Sequence, residues 1–101
     1  LEKKVIELSK VVKNLNSEFY IIIMPWPDTL NFGQTVFNWE NYAKELCLET
    51  KCTKLINLFP EFRDIKNENE EWLKTIYLHN DIHLTKKGNR LLAEKLISES
   101  L

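Results

Sequence analysis

The run Phe19-Tyr20-Ile21-Ile22-Ile23-Met24, closed by Pro25-Trp26-Pro27, constrains this chain more than any other feature. It is apolar without alternation and rich in β-branched residues, so it reads as a strand covered on both faces, as in parallel sheets. Pro25 and Pro27 have no amide proton to give a ladder, and each holds the residue before it out of helical geometry. Pro25-Trp26-Pro27-Asp28 is therefore expected to form a rigid loop at the carboxyl end of that strand. Lys54-Leu55-Ile56-Asn57-Leu58 reads as a second short strand, ended by Phe59-Pro60.

Helical patterns surround these strands. Leu1, Val5, Leu8, Val12 and Leu15 recur at steps of four and three, one apolar stripe on a helix over residues 1 to 15. Thr35 reads as the N-cap of a second helix, with Val36, Trp39, Ala43, Leu46 and Cys47 on its buried face and an end near Lys51. A charged stretch from Asp64 to Glu71 leads into a helical turn over Trp72 to Tyr77. Trp39 and Trp72 are expected in the core. The last helix should start at Thr85 or Lys86, with Thr85 as its cap, and run to Ser98, burying Leu92, Ala93, Leu96 and Ile97. Helix, strand, helix, strand with short links is the order of parallel βα units, so the class is α/β in a single domain over residues 1 to 101. Open sheets usually hold about four to six strands, and a pair buried on both faces calls for neighbours. A larger parent is the expectation, and an opening Leu1 in place of Met accords with it.

Charge narrows the partners. The chain has 14 Lys+Arg against 15 Asp+Glu, a net charge of −1, so nothing favours nucleic acid or an anionic membrane surface. The apolar run Phe19 to Trp26 is far below the ~20 residues of a membrane span. There are only two Gly where average usage gives about seven, which limits glycine-built loops. Cys47 and Cys52 stand in C-x4-C spacing with no further cysteine, too little for a zinc site. They are either two ordinary thiols or a disulfide across a helix end, the latter implying an oxidising compartment.

The densest polar cluster, His79-Asn80-Asp81-Ile82-His83, holds both histidines of the chain. It admits three readings. It can be a helix-entry loop in which Asp81 binds local amides. It can be a metal site of His79, Asp81 and His83, if a turn converges them. It can be a dyad in which Asp81 fixes the tautomer of His83 while His83 takes a proton from a nucleophile.

The third reading has a context. Asp81-Ile82-His83-Leu84-Thr85, followed by Gly88-Asn89-Arg90-Leu91-Leu92-Ala93, resembles the last block of the SGNH (GDSL-type) hydrolases, where an Asp and a His precede the final helix. Tyr20 to Pro27, Phe37 to Cys52, Phe59-Pro60-Glu61-Phe62 and Trp72 to Leu78 are similar, in order, to segments of one SGNH branch with a Pro-Trp-Pro loop and a later Cys pair. The resemblance covers residues 19 to 97. It implies a partial three-layer αβα sandwich of flavodoxin-like type and a serine-dependent esterase or acyl transferase. His83 would be general acid/base and Asp81 its orienter, and no metal or organic cofactor would be needed. The substrate would be a small-molecule, carbohydrate or lipid ester, with Trp26 and Asn80 as candidate contacts. Many members space the pair as Asp-x-x-His; here Asn80 stands three before His83, so Asn80 is the alternative, neutral acceptor.

The family's Gly-Asp-Ser nucleophile block and its oxyanion Gly and Asn have no counterpart. The serines are Ser9, Ser17, Ser98 and Ser100, and the glycines are Gly33 and Gly88. The expectation is the carboxyl-terminal half of such an enzyme, inactive alone, whose amino-terminal half supplies the nucleophile; the lean is to a protein outside the cytoplasm, periplasmic or tethered to a membrane through an upstream segment. The alternative is a small non-catalytic binding module.

Overall fold

A computed structural model describes the backbone of residues 1 to 100 and side chains through Glu99. The chain is mixed α/β, mostly helical, in the order α1 Glu2–Asn14, β1 Tyr20–Ile23, α2 Pro27–Phe32, α3 Trp39–Thr50, β2 Lys54–Asn57, α4 Phe59–Glu68, α5 Trp72–Ile76 and α6 Lys86–Ser100. Its two strands pair in parallel, Tyr20 opposite Lys54 through Ile23 opposite Asn57, and the crossover between them carries α2 and α3. The core gathers Leu30, Ile56, Leu58, Phe62, Ile76 and Tyr77, flanked by Leu91, Leu92 and Leu96 of α6.

The first strand is less covered than its sequence implies. Ile21 and Ile23 are half-buried, whereas Ile22 is 46% exposed although its partner Ile56 is buried. β1 and β2 each pair on one side only, so a residue on β1 lacks the lateral packing that a third strand gives. A parallel βα pair is present among the described residues; a full three-layer sandwich is not.

Prolines act here as helix openers. Pro25 is buried in the loop as expected, but Pro27 and Asp28 start α2 behind Trp26, whose φ of −78° and ψ of 161° are extended. A missing N–H costs nothing in a first turn, and the fixed φ suits it. Phe59-Pro60 likewise ends β2 and at once begins α4, burying Phe59 and Phe62. The charged stretch from Asp64 is thus in part the solvent side of α4. Lys66 Nζ of α4 donates to the carbonyls of Leu30 (2.9 Å) and Asn31 (3.1 Å), which α2 leaves open near its end.

Helix faces differ from the sequence reading where a neighbour, and not the stripe, chooses them. α1 buries Ser9 and half-buries Val5, Ile6 and Val12, leaving Leu1, Leu8 and Leu15 exposed, because it rests chiefly on one helix, α3. Asn38, not Thr35, caps α3, its side chain accepting from Asn41 N at 2.9 Å; Val36 is 99% exposed. α3 buries Ala43, Leu46 and Thr50 and ends at Lys51 in left-handed geometry, φ 52°. In α6, Leu91 packs where Ala93 was expected, and Ala93 and Ile97 face solvent. Thr85 is the expected cap, accepting from Gly88 N at 3.1 Å.

Cys47 and Cys52 form a disulfide across the end of α3, Cα to Cα 4.9 Å, in place of two free thiols. It closes a loop of about six residues, for which chain entropy gives about 2 kcal/mol. Reduction with dithiothreitol is therefore expected to lower the unfolding free energy obtained from urea titration by that amount, with a lower midpoint. An unchanged midpoint would show that the left-handed Lys51 cap alone suffices.

Candidate functional site

The two candidate catalytic residues sit on a short hairpin between α5 and α6. Tyr77 and Leu84 form an antiparallel bridge, Leu78 N donates to His83 O at 2.9 Å, and Asp81 N donates to Leu78 O at 3.0 Å. Asn80 makes the reversal with φ 53°, a conformation Asn tolerates better than most residues. The tight turn brings Asp81 and His83 onto one another. Asp81 Oδ1 accepts from the His83 backbone N at 3.1 Å and from His83 Nδ1 at 2.6 Å.

That bond defines the imidazole. With the proton on Nδ1 shared toward Asp81, Nε2 is the acceptor. The imidazole beside it holds the Asp81 carboxyl below its ordinary range. Both side chains are open to solvent, His83 at 76% and Asp81 at 42%. The arrangement can orient a base and stabilise its protonated form; its chemistry then depends on what is set against Nε2.

Asn80 does not reach His83: its Nδ2 lies 3.1 Å from His79 Nε2. The structure therefore sets Asp81, and not Asn80, against the imidazole. The described residues contain no cluster of three His, Cys, Asp or Glu placed to hold a metal ion, so His79, Asp81 and His83 do not form the metal site that the sequence allowed. Ser9 is buried in α1, bonded to Ile6 O at 2.6 Å. Ser17 precedes β1, at the amino edge of the sheet, and Ser98 lies near the far end of α6. None of these three stands on the hairpin side.

Two hollows flank the Pro25-Trp26-Pro27 segment. One, of about 530 Å³, lies under the hairpin and includes Pro27, Lys74, Tyr77 and Asp81 in its walls. The other, of about 490 Å³, follows the exposed end of β1 and includes Ile22, Met24, Trp26, Trp39 and Phe59. Trp26 is 65% exposed and belongs to the second hollow, so it is set apart from Asp81. Trp39, expected in the core, is 43% exposed beside it, while Trp72 packs against the core as expected.

Sequence spacing gave no sign of what holds these pieces in place. Tyr77, buried edge-on to Phe62 with ring centroids 6.3 Å apart, donates its hydroxyl to Pro25 O at 2.5 Å. It thereby ties the hairpin base to the strand end, and burial pushes its phenol well above the ordinary range. Glu40, at the start of α3, accepts from Arg63 Nη1 at 2.8 Å, Asn57 Nδ2 at 2.7 Å and Gln34 Nε2 at 2.9 Å. Gln34 in turn accepts from Trp39 N at 2.6 Å. The Arg63 guanidinium beside it, with the two amides, lowers the Glu40 carboxyl to about 2.

A carboxyl held from 4.5 down to about 2 stabilises the fold at any pH above its unfolded value and loses that contribution as pH falls from about 4.5 to 2. Allowing for its partial contact with solvent, the loss is about 2 kcal/mol. Urea midpoints measured from pH 6 to pH 2.5 should fall more steeply for the natural chain than for Glu40→Gln. Parallel slopes would show that Glu40 carries no such charge-dependent stabilisation.

No family model, curated protein or solved structure matches this chain.

Proposed function

We propose that this α/β chain is the carboxyl-terminal portion of an SGNH-type hydrolase or acyl transferase that acts on an acyl ester of a carbohydrate, lipid or small molecule. The observation that carries the reading is the 2.6 Å bond from His83 Nδ1 to Asp81, which leaves Nε2 free at an open surface. His83 takes the proton of a serine hydroxyl as that oxygen attacks the ester carbonyl, and returns it to the leaving alcohol. Asp81 holds the tautomer and offsets the charge of the imidazolium. The serine and the oxyanion donors come from a segment outside these 101 residues, which also adds the strands that complete a three-layer αβα sandwich. The exposed β1 and the open hollow beside it support such an addition. The disulfide supports a place outside the cytoplasm.

The test is hydrolysis of p-nitrophenyl acetate by the protein translated from the whole reading frame that contains this chain. The expected result is turnover that a serine-directed phosphonate abolishes and His83→Ala removes. A protein with no turnover, or one whose turnover ignores His83→Ala, overturns the proposal. A second reading, a non-catalytic binding module, is favoured by the exposed pair Trp26 and Trp39 on one apolar hollow. It predicts ligand binding at that hollow and no turnover.

A further inference from the structure

We propose that Tyr77 is a positioning residue for the Asp81–His83 pair, a role that rests on the hydrolase reading: its hydroxyl, bonded to Pro25 O, sets where the hairpin stands against the carboxyl end of β1. The Pro25-Trp26-Pro27 segment cannot hold itself. Two of its three residues lack an N–H, and Pro25 is buried, so Pro25 O needs a donor from elsewhere in the fold. Tyr77 supplies it at 2.5 Å, from 52 residues away. Tyr77 is 2% exposed and stands edge-on to Phe62. Burial also pushes its phenol up, so the hydroxyl keeps its proton at neutral pH.

The other bonds of the hairpin run elsewhere. Thr85 N donates to Ile76 O at 2.8 Å, Thr85 Oγ1 donates to Thr75 O, and Leu78 N donates to His83 O at 2.9 Å. These tie the hairpin to α5 and to itself. Among the described residues, the Tyr77 hydroxyl makes the one hydrogen bond that joins residues 77 to 85 to the strands or to the segments directly after them. Tyr77, Asp81 and Pro27 line the same recess, so this bond governs how far the pair stands from the strand end, the side on which open α/β sheets take their ligands. The bond between His83 and Asp81 does not depend on it, since both side chains belong to one turn. Loss of the hydroxyl therefore leaves the pair formed and changes its place. A buried carbonyl without its donor draws in water, which parts the hairpin base from the strand end, and a reacting group displaced by about 1 Å can cost about 10²-fold in rate.

The experiment is Tyr77→Phe, which keeps the ring and its packing on Phe62, beside Tyr20→Phe, which loses a surface bond to Glu18. In the 101-residue chain, Tyr77→Phe is expected to shift the amides of Met24 and Trp26 together with those of residues 78 to 84, and to speed hydrogen exchange at Leu78 and Asp81. Tyr20→Phe should leave residues 78 to 84 unchanged. In the protein translated from the whole reading frame, below the Tm of every variant, Tyr77→Phe should lower kcat for p-nitrophenyl acetate about tenfold, with KM and the form of the pH profile unchanged. Unmoved hairpin amides, or a kcat equal to that of the natural protein, overturn the proposal. A loss confined to KM, or a displaced pH profile, likewise overturns it by placing Tyr77 against the substrate or the imidazole. No turnover in the natural protein strikes the hydrolase reading and this role together, whereas natural turnover that Tyr77→Phe leaves intact strikes this role alone.

Discussion

On the proposed hydrolase reading, His83→Ala in the protein translated from the whole reading frame is expected to lower kcat/KM for an activated acyl ester by about 10⁴ or more. The same substitution in the 101-residue chain should leave the unfolding free energy from urea titration within about 0.5 kcal/mol of the natural one. The second half follows from exposure: the imidazole is 76% open to solvent and bonds only Asp81 among the described side chains. The first half follows from role, since a weak hydroxyl nucleophile needs a base to take its proton. Asp81→Asn should cost about 10³ to 10⁴ in rate, because an amide in that place can offer a proton to Nδ1 and leave the wrong nitrogen as acceptor. Asn80→Ala should change the rate far less, as Asn80 turns to His79. Equal losses at Asn80 and Asp81 would mean that the hairpin rearranges when substrate binds, and the orienting role assigned to Asp81 would fall.

Gly88→Ala is expected to destabilise the chain by about 3 kcal/mol, a fall in Tm of roughly 10 to 20 °C. The substitution should otherwise help, since Ala exceeds Gly in helix propensity by about 1 kcal/mol. Here a Cβ would lie 2.5 Å from the carbonyl oxygen of Ile76 and 3.1 Å from Leu84 Cβ. Ile76 O is the acceptor for Thr85 N at 2.8 Å, so moving it also disturbs the entry to α6 and the base of the Asp81–His83 hairpin. Calorimetry on Gly88→Ala beside the exposed neighbour Lys87→Ala isolates the effect. Equal midpoints for the two would show that α6 can lift from α5 without cost. Gly33 is a different case, a positive-φ residue (84°) with open space around it, so the two glycines of the chain serve conformation and close approach separately.

Much of the fold was legible because it rests on local rules. The β-branched run produced β1, the left-handed Lys51 sits where the α3 pattern stops, and Thr85 caps α6 as its position before the helix implies. The misreadings share a cause. Strand patterning makes proline a stop, and at Pro27 and Pro60 it is equally a start, since the first turn of a helix has no use for the missing N–H. Asn38 displaced Thr35 as cap because Gln34 and Glu40 fold the intervening segment back, a contact that no spacing announces. The period of α3 puts Trp39 in the core, yet β1 beside it pairs only with β2 among the described residues and leaves Trp39 partly uncovered.

The candidate site divides in the same way. That Asp81 and His83 can meet was fixed by a separation of two residues around a turn-forming Asn80, and by the helix cap that follows. Side chains that close in sequence are brought together by one hairpin, and local dihedral preferences suffice for that. Which acceptor His83 would use, and what lies around it, was decided only by the tertiary fold. The Asn80 amide is drawn to His79, Tyr77 reaches across 52 residues to Pro25 O, and Lys74 comes to face a hollow built from α2, α5 and the hairpin. These are contacts between segments distant in the chain, and their geometry follows from how α4, α5 and α6 pack on a short parallel pair, which no periodicity in the sequence encodes.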